Sequence, residues 1–329
     1  MKAIYLNANI KTVDWVYSPE VQQALAAKLD VLGKVTPAEL DARADICAQA
    51  ECIFSTWGMP SLTGEQIDRY FPNLKAVFYA AGSVQYFARP FIERGIHVLS
   101  SWQANGIPVA EYTVSTILLS NKGMLRRADD YRADKSKSTP NDYPGNFGCK
   151  VGLIGFGAIG RKVAEYMKPY RVELMAYDPY VPDEVLSGLN VKRATLDEIF
   201  ETCQTISNHL PNNEQTKGML NYDLFRRMKP NATFLNTGRG AQVVEPDLVR
   251  ALTEQPRRTA ILDVTWPEPC PEDSPLWSLP NVLITPHIAG SAGDEVMRMG
   301  EYMLGECERM LAGEPFAYDV SMDMLEHMA

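Results

Sequence analysis

The chain has 329 residues, of which 46% are hydrophobic and 22% are charged, and its formal net charge at pH 7 is −9. This length is sufficient for two domains of ordinary size, each with its own core. The negative charge disfavours a nucleic-acid partner, which binds clustered Lys and Arg, and no apolar run approaches the length that spans a bilayer.

The start of the chain and the cysteines indicate the compartment. Residues 1–7 predict an opening β-strand rather than a signal peptide, so we expect a cytoplasmic protein without a membrane partner. The six cysteines are scattered without a CxxC pair or a finger-like histidine spacing. They predict reduced, mostly buried thiols, with neither disulfides nor a metal site.

Short apolar strands alternate with capped helices over the first hundred residues. Strands are predicted at 52–55, 76–79 and 97–100, and helices begin at Ser18-Pro19 and at the capping box of Thr36 and Glu39. This alternation is typical of a parallel α/β sheet. No phosphate motif follows these strands, which indicates a domain without its own nucleotide.

The loop after the predicted strand at 76–79 is the candidate site of this first domain. It contains Gly82, Ser83 and Val84, small residues whose backbone N–H groups are free to bind a carboxylate. An ordinary strand-to-helix turn explains the same residues equally well.

A helix and an irregular segment connect the two halves. Residues 108–120 have the apolar spacing of a helix that crosses between domains. Residues 135–148 are rich in Ser, Pro, Asn and Gly and predict an extended arm over the surface or against another subunit, with a solvated loop as the alternative.

The strongest single signal lies at residues 151–160. A short apolar strand is followed by GFGAIG, which has the pattern GxGxxG, and then by a sequence of helical spacing. The first glycine allows the tight turn, the second leaves room for a pyrophosphate, and the third lets the helix lie close to the strand. The predicted cofactor contacts here are Gly155, Gly157, Ala158, Ile159 and Gly160.

A second strand, at 172–177, ends at Asp178, eighteen residues after Gly160. An acidic side chain at this position accepts hydrogen bonds from the adenosine ribose and repels a 2′-phosphate. No Arg or Lys stands among residues 179–181, although Lys192 and Arg193 could lie nearby. We therefore predict NAD rather than NADP as the cofactor.

Three polar residues follow later predicted strands: Arg239, Glu268 and His287. Each has an ordinary structural explanation by itself, because surface ion pairs, solvated carboxylates and structural histidines are all common. In an open α/β sheet, however, strand ends line the ligand crevice. Their shared position after strands, beyond a dinucleotide loop, favours a function.

These motifs together resemble the D-isomer-specific 2-hydroxyacid dehydrogenase family. Besides the glycine motif and Asp178, the similar segments are HLP at 209–211, NTGRG at 236–240, Asp263-Val264 with Glu268-Pro269, and TPHI at 285–288. Two features depart from the family pattern. Thr265-Trp266 stands where Phe usually follows Asp-Val, and the loop at 81–87 lacks the acidic residue that many members have.

The resemblance implies two Rossmann-like α/β domains, one flavodoxin-like and one NAD-binding, with parallel sheets and a cleft between them. It implies a discontinuous substrate domain of residues 1–103 and 291–329, an NAD domain of residues 104–290, and a homodimer that pairs through the NAD domain. It also implies catalysis by Arg239, Glu268 and His287, with Arg239 and the Gly82, Ser83 and Val84 amides on the substrate carboxylate. Further implied cofactor contacts are Pro211, Thr237, Gly238, Arg239, Asp263, His287, Ala289 and Gly290.

The chemistry implied is hydride transfer between NAD and a small 2-keto or 2-hydroxy acid. The carbonyl oxygen becomes an alkoxide during reduction and needs a proton, which His287 can donate and Glu268 can support by stabilising the imidazolium. Glyoxylate, hydroxypyruvate and 3-phosphoglycerate remain open as substrates. A rival function is an NAD-sensing, corepressor-like scaffold without turnover, because a fold does not fix a function.

Overall fold

The computed structural model describes residues 1–135 and 142–327. The chain divides into two compact units: unit 1 is Met1–Gly106 with the segment that begins at Ser291, and unit 2 is Ile107–Gly290. The sequence analysis placed the first change of domain at residue 103, and in the structure it comes at Gly106.

Unit 1 opens with alternating strands and helices: β1 (Lys2–Leu6), α1 (Ile10–Val16), α2 (Pro19–Lys28), β2 (Asp30–Val35), α3 (Ala44–Cys47), β3 (Cys52–Ser55), α4 (Gly64–Tyr70), β4 (Ala76–Tyr79), α5 (Arg89–Ile92) and β5 (His97–Ser100). Helix α6 (Trp102–Ser120) then runs from unit 1 into unit 2.

Unit 2 contains α7 (Met124–Asp134), β6 (Phe147–Ile154), α8 (Ala158–Met167), β7 (Arg171–Tyr177), α9 (Asp183–Ser187), β8 (Val191–Arg193), α10 (Leu196–Thr202), β9 (Thr205–Asn208), α11 (Tyr222–Phe225), β10 (Thr233–Asn236), α12 (Glu245–Glu254), β11 (Thr259–Leu262) and β12 (Val282–Ile284). The chain returns to unit 1 with α13 (Met297–Ala312) and α14 (Met322–His327).

The sheet of unit 1 has the strand order β2-β1-β3-β4-β5, and its neighbouring strands all pair in parallel. This is the flavodoxin-like order that the sequence analysis expected. Alternate residues of β1 enter cores on opposite faces, with Ile4 and Leu6 on one face and Ala3 and Tyr5 on the other. Both faces are therefore covered, as a parallel sheet requires.

The sheet of unit 2 has the order β12-β11-β10-β9-β6-β7-β8, again parallel throughout. Counted from its own first strand, this is the dinucleotide-binding order, in which the direction of winding reverses between β6 and β9. The glycine loop at 155–160 and the HLP loop at 209–211 follow those two strands. The predicted α/β class and both strand orders are thus confirmed.

Three local predictions differ from the structure. The capping box of Thr36 and Glu39 forms, but it opens only a 3-10 turn at Pro37–Glu39, so the helix expected there is wrong. Helix α6 begins at Trp102 rather than Pro108, which lies inside it. Of the arm expected at 135–148, residues 136–141 lie outside the described residues, and the end of the segment is already in β6.

The C-terminal segment packs in unit 1, and the thiols agree with the sequence. Val296, Met299, Met303 and Cys307 are buried in unit 1, and Gly313 ends α13 with φ +70. All six cysteines are free, and five of them are buried. Within residues 1–135 and 142–327, no helix combines the length and the apolar character that crossing a membrane needs.

Candidate active site

Each glycine of the loop at 155–160 has the backbone geometry or free space that the sequence analysis expected of it. Gly155 has φ +89, and a Cβ there would lie 2.7 Å from the carbonyl oxygen of His209. A Cβ on Gly160 would lie 2.5 Å from the carbonyl oxygen of Gly155, so this glycine closes the turn. At Gly157 an added Cβ meets nothing within 4 Å. The open space at Gly157 and the free N–H groups of the first turn of α8 fit a dinucleotide phosphate.

Asp178 follows β7 beside this loop. Its carboxylate accepts hydrogen bonds from the backbone N–H groups of Phe156 (2.8 Å), Tyr180 (2.9 Å) and Val181 (3.1 Å). Arg193 does lie nearby: its Nη1 donates to the Asp178 carbonyl oxygen at 2.6 Å, and its Nε pairs with Asp183. The one guanidinium near the strand end is thus occupied by a carboxylate and carbonyl groups.

A buried network of amide side chains connects the HLP loop to the Arg239 loop. Asn208 Nδ2 donates to Asn236 Oδ1 at 3.0 Å and also to Gln242. Gln242 Nε2 donates to the carbonyl oxygens of Leu210 (2.7 Å) and Pro211 (2.8 Å). Sequence reasoning missed Asn208 and Gln242, although polar residues at a strand end and in a glycine-rich loop were a signal for them.

The Arg239 loop packs closely against the loop that carries Glu268. A Cβ on Gly240 would lie 2.0 Å from the carbonyl carbon of Thr265, so only glycine allows this approach. Arg239 Nη1 donates to the Gly238 carbonyl oxygen at 2.8 Å. Burial lowers the pKa of Arg239, and the nearby Glu268 carboxylate opposes that shift. The guanidinium stays charged, with donors left for an anion.

The structure brings His287 and Glu268 together. His287 Nδ1 lies 2.6 Å from Glu268 Oε1, and the two side chains are 47% and 36% exposed. Because Nδ1 faces the carboxylate, Nε2 is the ring nitrogen left for another partner. An imidazole oriented by a carboxylate is the arrangement of a general acid and base.

Asp263 holds the turn on which His287 stands. Its side chain is buried, 1% exposed, and its carboxylate accepts bonds from Thr285 Oγ1 (2.6 Å), Ile288 N–H (2.8 Å) and Ala289 N–H (2.9 Å). The sequence analysis had assigned Asp263 to the cofactor. In the structure its carboxylate supports the His287 turn, while its backbone N–H donates to the Asn236 carbonyl oxygen at 3.0 Å; the part played by Thr285 was missed.

The other expected cofactor contacts stand at the same edge of the unit 2 sheet. Pro211, Thr237 and Gly290 follow β9, β10 and β12 respectively. Thr237 is buried, with its Oγ1 3.5 Å from Thr113 Oγ1. Trp266, in the Thr265-Trp266 pair that departs from the family pattern, is 61% exposed and does not belong to a core.

The substrate loop of unit 1 follows β4. Ser100 Oγ is within hydrogen-bonding distance of the carbonyl oxygens of Ala81 (3.0 Å) and Gly82 (2.6 Å), which orients the loop. Within the described chain, the N–H groups of Gly82, Ser83 and Val84 donate to no other residue. The loop therefore has three backbone donors for an anion.

Comparison with known proteins agrees with this geometry. Residues 114–289 match the model of the D-isomer specific 2-hydroxyacid dehydrogenase, NAD binding domain. The chain belongs to this family. The matched residues include the glycine loop, Arg239, Glu268 and His287.

Curated relatives match over about two thirds of the length of this chain. It is 31% identical over 221 residues to the D-3-phosphoglycerate dehydrogenase of Mycobacterium tuberculosis, covering 67% of this chain and 42% of the relative. It is 34% identical over 217 residues to glyoxylate/hydroxypyruvate reductase A of Klebsiella pneumoniae, covering 65% and 68%. The chain thus spans about two fifths of the phosphoglycerate dehydrogenases that it matches.

Solved structures share the fold over the whole chain. A phosphoglycerate oxidoreductase from Rhizobium etli has a TM-score of 0.81 at 23% identity, covering 98% of this chain and 99% of that one. The NAD-complexed D-isomer specific 2-hydroxyacid dehydrogenase of Lactobacillus delbrueckii has a TM-score of 0.76 at 19% identity, covering 97% and 100%.

Proposed function

We propose that this protein is an NAD-dependent oxidoreductase that interconverts a small 2-keto acid and a D-2-hydroxy acid. The observation that carries the proposal is the pair of His287 Nδ1 and Glu268 Oε1 at 2.6 Å, in the same unit as the glycine loop. Names of dehydrogenases and reductases among the relatives support the same class of reaction.

His287 moves the proton in this proposal. In reduction its Nε2 donates a proton to the oxygen of the keto group, and in oxidation it takes that proton back. Glu268 orients the ring through Nδ1 and stabilises the imidazolium before transfer. When bound, NADH would supply the hydride for reduction, and NAD⁺ would accept it in oxidation.

Arg239 and the loop of unit 1 bind the acid. A guanidinium binds a carboxylate through two parallel hydrogen bonds, which an ammonium cannot match. Arg239 is partly withdrawn from water, which strengthens its attraction for an anion. The unpaired N–H groups of Gly82, Ser83 and Val84 are the contribution of unit 1.

A screen of NADH oxidation over a panel of 2-keto acids tests the proposal. We expect turnover of at least one keto acid, with the D-hydroxy acid as product by chiral chromatography. An NAD-sensing, corepressor-like scaffold is less favoured, and binding of NADH without turnover of any acid would support it instead.

We also propose a homodimer formed by unit 2. Leu119, Met124 and Leu283 are each at least 40% exposed and line a single groove. Clustered apolar side chains of this kind mark interaction surfaces. Sedimentation velocity should give a dimer that Leu119→Glu dissociates, and a monomeric wild-type protein would contradict the proposal.

A further inference from the structure

Four buried polar atoms of unit 1 have no hydrogen-bond partner within residues 1–135 and 142–327. Tyr5 Oη lies in the core, and the other three are Trp102 Nε1, Ser291 Oγ and Arg298 Nη1. The indole and guanidinium nitrogens can only donate hydrogen bonds, and the hydroxyl can donate one. A buried donor without an acceptor is costly, so three of them in one unit point to an acceptor that binds there.

Arg298 differs from the other arginines that are withdrawn from water. Arg258 donates to three backbone carbonyl groups, those of Met228, Ala251 and Arg226. Arg126 also has a nitrogen without a hydrogen bond, but Asp130 lies 3.1 Å away. In the described residues, Arg298 Nη1 has no hydrogen-bond acceptor, and no carboxylate lies within 4.0 Å of the guanidinium. A guanidinium nitrogen that is buried without an acceptor is suited to pair with an anion.

The three donors lie on two segments that run side by side in unit 1. Ser101 Oγ donates to the Met299 carbonyl oxygen at 2.9 Å, which places the neighbours Trp102 and Arg298 beside the same contact. Four residues after Ser101, Asn105 Oδ1 accepts a hydrogen bond at 2.9 Å from the N–H of Ser291, which lies eight residues before Met299. The start of α6 and the segment 291–299 therefore form one seam.

The seam adjoins the substrate loop. Asn105, which accepts the bond from Ser291, has its Nδ2 3.5 Å from the position of a Cβ on Gly82. The free N–H groups of Gly82, Ser83 and Val84 thus begin where the seam ends. An acid whose first carboxylate binds this loop would have its far end within the same unit, near the unpaired donors.

We propose that Arg298, Trp102 and Ser291 form a second anion site, which binds a negatively charged group at the far end of the substrate. The substrate is then a 2-keto acid with a second carboxylate or a phosphate, rather than a neutral keto acid. This inference rests on the proposed function. Arg298 neutralises the charge, and the Trp102 N–H and the Ser291 hydroxyl direct the hydrogen bonds.

The test compares keto acids of equal chain length with and without the second charge. The pairs are 2-oxoglutarate against 2-oxovalerate, oxaloacetate against 2-oxobutyrate, and phosphohydroxypyruvate against hydroxypyruvate. We expect wild-type kcat/KM to favour the charged member of one pair. That pair shows whether the second anionic group of the substrate is a carboxylate or a phosphate. Arg298→Met should lower this ratio by about 10-fold to 100-fold, the value of a hydrogen bond to a charged group.

Matched variants separate a binding role from a structural one. Arg309→Met removes a more exposed arginine of the same helix, α13, and should leave the ratio unchanged. Arg298→Lys should recover part of the ratio of kcat/KM between the charged and the neutral acid. Trp102→Phe, which removes the indole N–H, should raise KM for the charged acid more than it changes kcat. An unaltered ratio in Arg298→Met, with a thermal midpoint equal to that of wild type, overturns the inference.

Failure of the proposed function gives a different result. If NADH binds but no keto acid is turned over, binding of succinate and of inorganic phosphate is measured by intrinsic tryptophan fluorescence and calorimetry. Binding that Arg298→Met abolishes and Arg309→Met retains supports the anion site without the reaction. Equal binding in wild type and Arg298→Met, or none in either, refutes it.

Discussion

The backbone N–H of His287 donates to the carbonyl oxygen of Asp263 at 3.0 Å, in a turn where His287 has φ +54. Such a conformation is uncommon for a residue other than glycine and persists only where the surroundings impose it. The Asp263 carboxylate supplies three more hydrogen bonds to the same turn. The orientation of the proposed acid and base therefore depends on a buried residue outside the pair of His287 and Glu268.

The first prediction concerns this support. Asp263→Asn replaces one carboxylate oxygen by an NH₂ group, which leaves a backbone N–H of the turn without its acceptor. We expect a loss of about 1–3 kcal/mol in the free energy of unfolding, together with a lower kcat. Denaturant unfolding and steady-state kinetics measure the two effects, and Asp273→Asn, at an exposed position, is the control. A wild-type kcat in Asp263→Asn would contradict the role of the turn.

The second prediction compares two histidines with the same kind of partner. His287→Ala should lower kcat by about 10²-fold to 10⁴-fold, because general acid and base catalysis is lost, while NADH still binds. His97 lies 2.6 Å from Asp319 in unit 1 and is also exposed, so His97→Ala is a matched control that should keep its activity. Similar losses in both variants would mean that the effect is not specific to His287.

The third prediction separates two glycines of unit 2. Gly157→Ala places a methyl group in open space, so we expect an unchanged thermal midpoint but weaker NADH binding, measured by fluorescence titration. Gly240→Ala places one 2.0 Å from the Thr265 backbone and should destabilise unit 2 instead. Gly305→Ala, on α13, controls for the added methyl group. Unimpaired NADH binding in Gly157→Ala would contradict the assignment of the loop.

The fourth prediction is a dependence of stability on pH. Burial lowers the pKa of His209 to about 4. Between this value and about 6.5, the unfolded chain binds a proton on His209 that the folded chain does not, so the free energy of unfolding falls as pH is lowered through this window. The contribution is at most about 3 kcal/mol. His209→Asn should reduce the drop in thermal midpoint between pH 7 and pH 5. An identical drop in wild type and variant would disprove the contribution of His209.

The fifth prediction concerns the choice between NAD and NADP. We expect kcat/KM to favour NAD strongly, because Asp178 repels a 2′-phosphate and Arg193 is engaged by Asp183. Asp178→Ser should narrow this preference for NAD, while Glu184→Gln controls for the loss of one negative charge nearby without releasing Arg193. Comparable efficiency of the wild-type enzyme with both cofactors would rule out this reading of Asp178.

The fold and the elements that present the site were predictable because their signals are local in sequence. Buried parallel strands are short apolar runs, and those at 52–55, 76–79 and 97–100 lie at the predicted residues. The GxGxxG motif is equally local, since its three glycines lie in one turn between a strand and the helix that follows it. Local signals failed at Thr36, where a capping box can start a turn but cannot by itself prolong a helix.

The sequence alone thus determined the α/β class, the glycine loop and the identity of three polar residues that follow strands. Only the tertiary structure decided that His287 meets Glu268, that Asp263 serves the His287 turn, and that Arg298 has no counter-ion in the described chain. These relationships join residues that are distant along the chain. They depend on where parallel strands end relative to one another, which is fixed by packing in three dimensions and leaves no periodic pattern in the sequence.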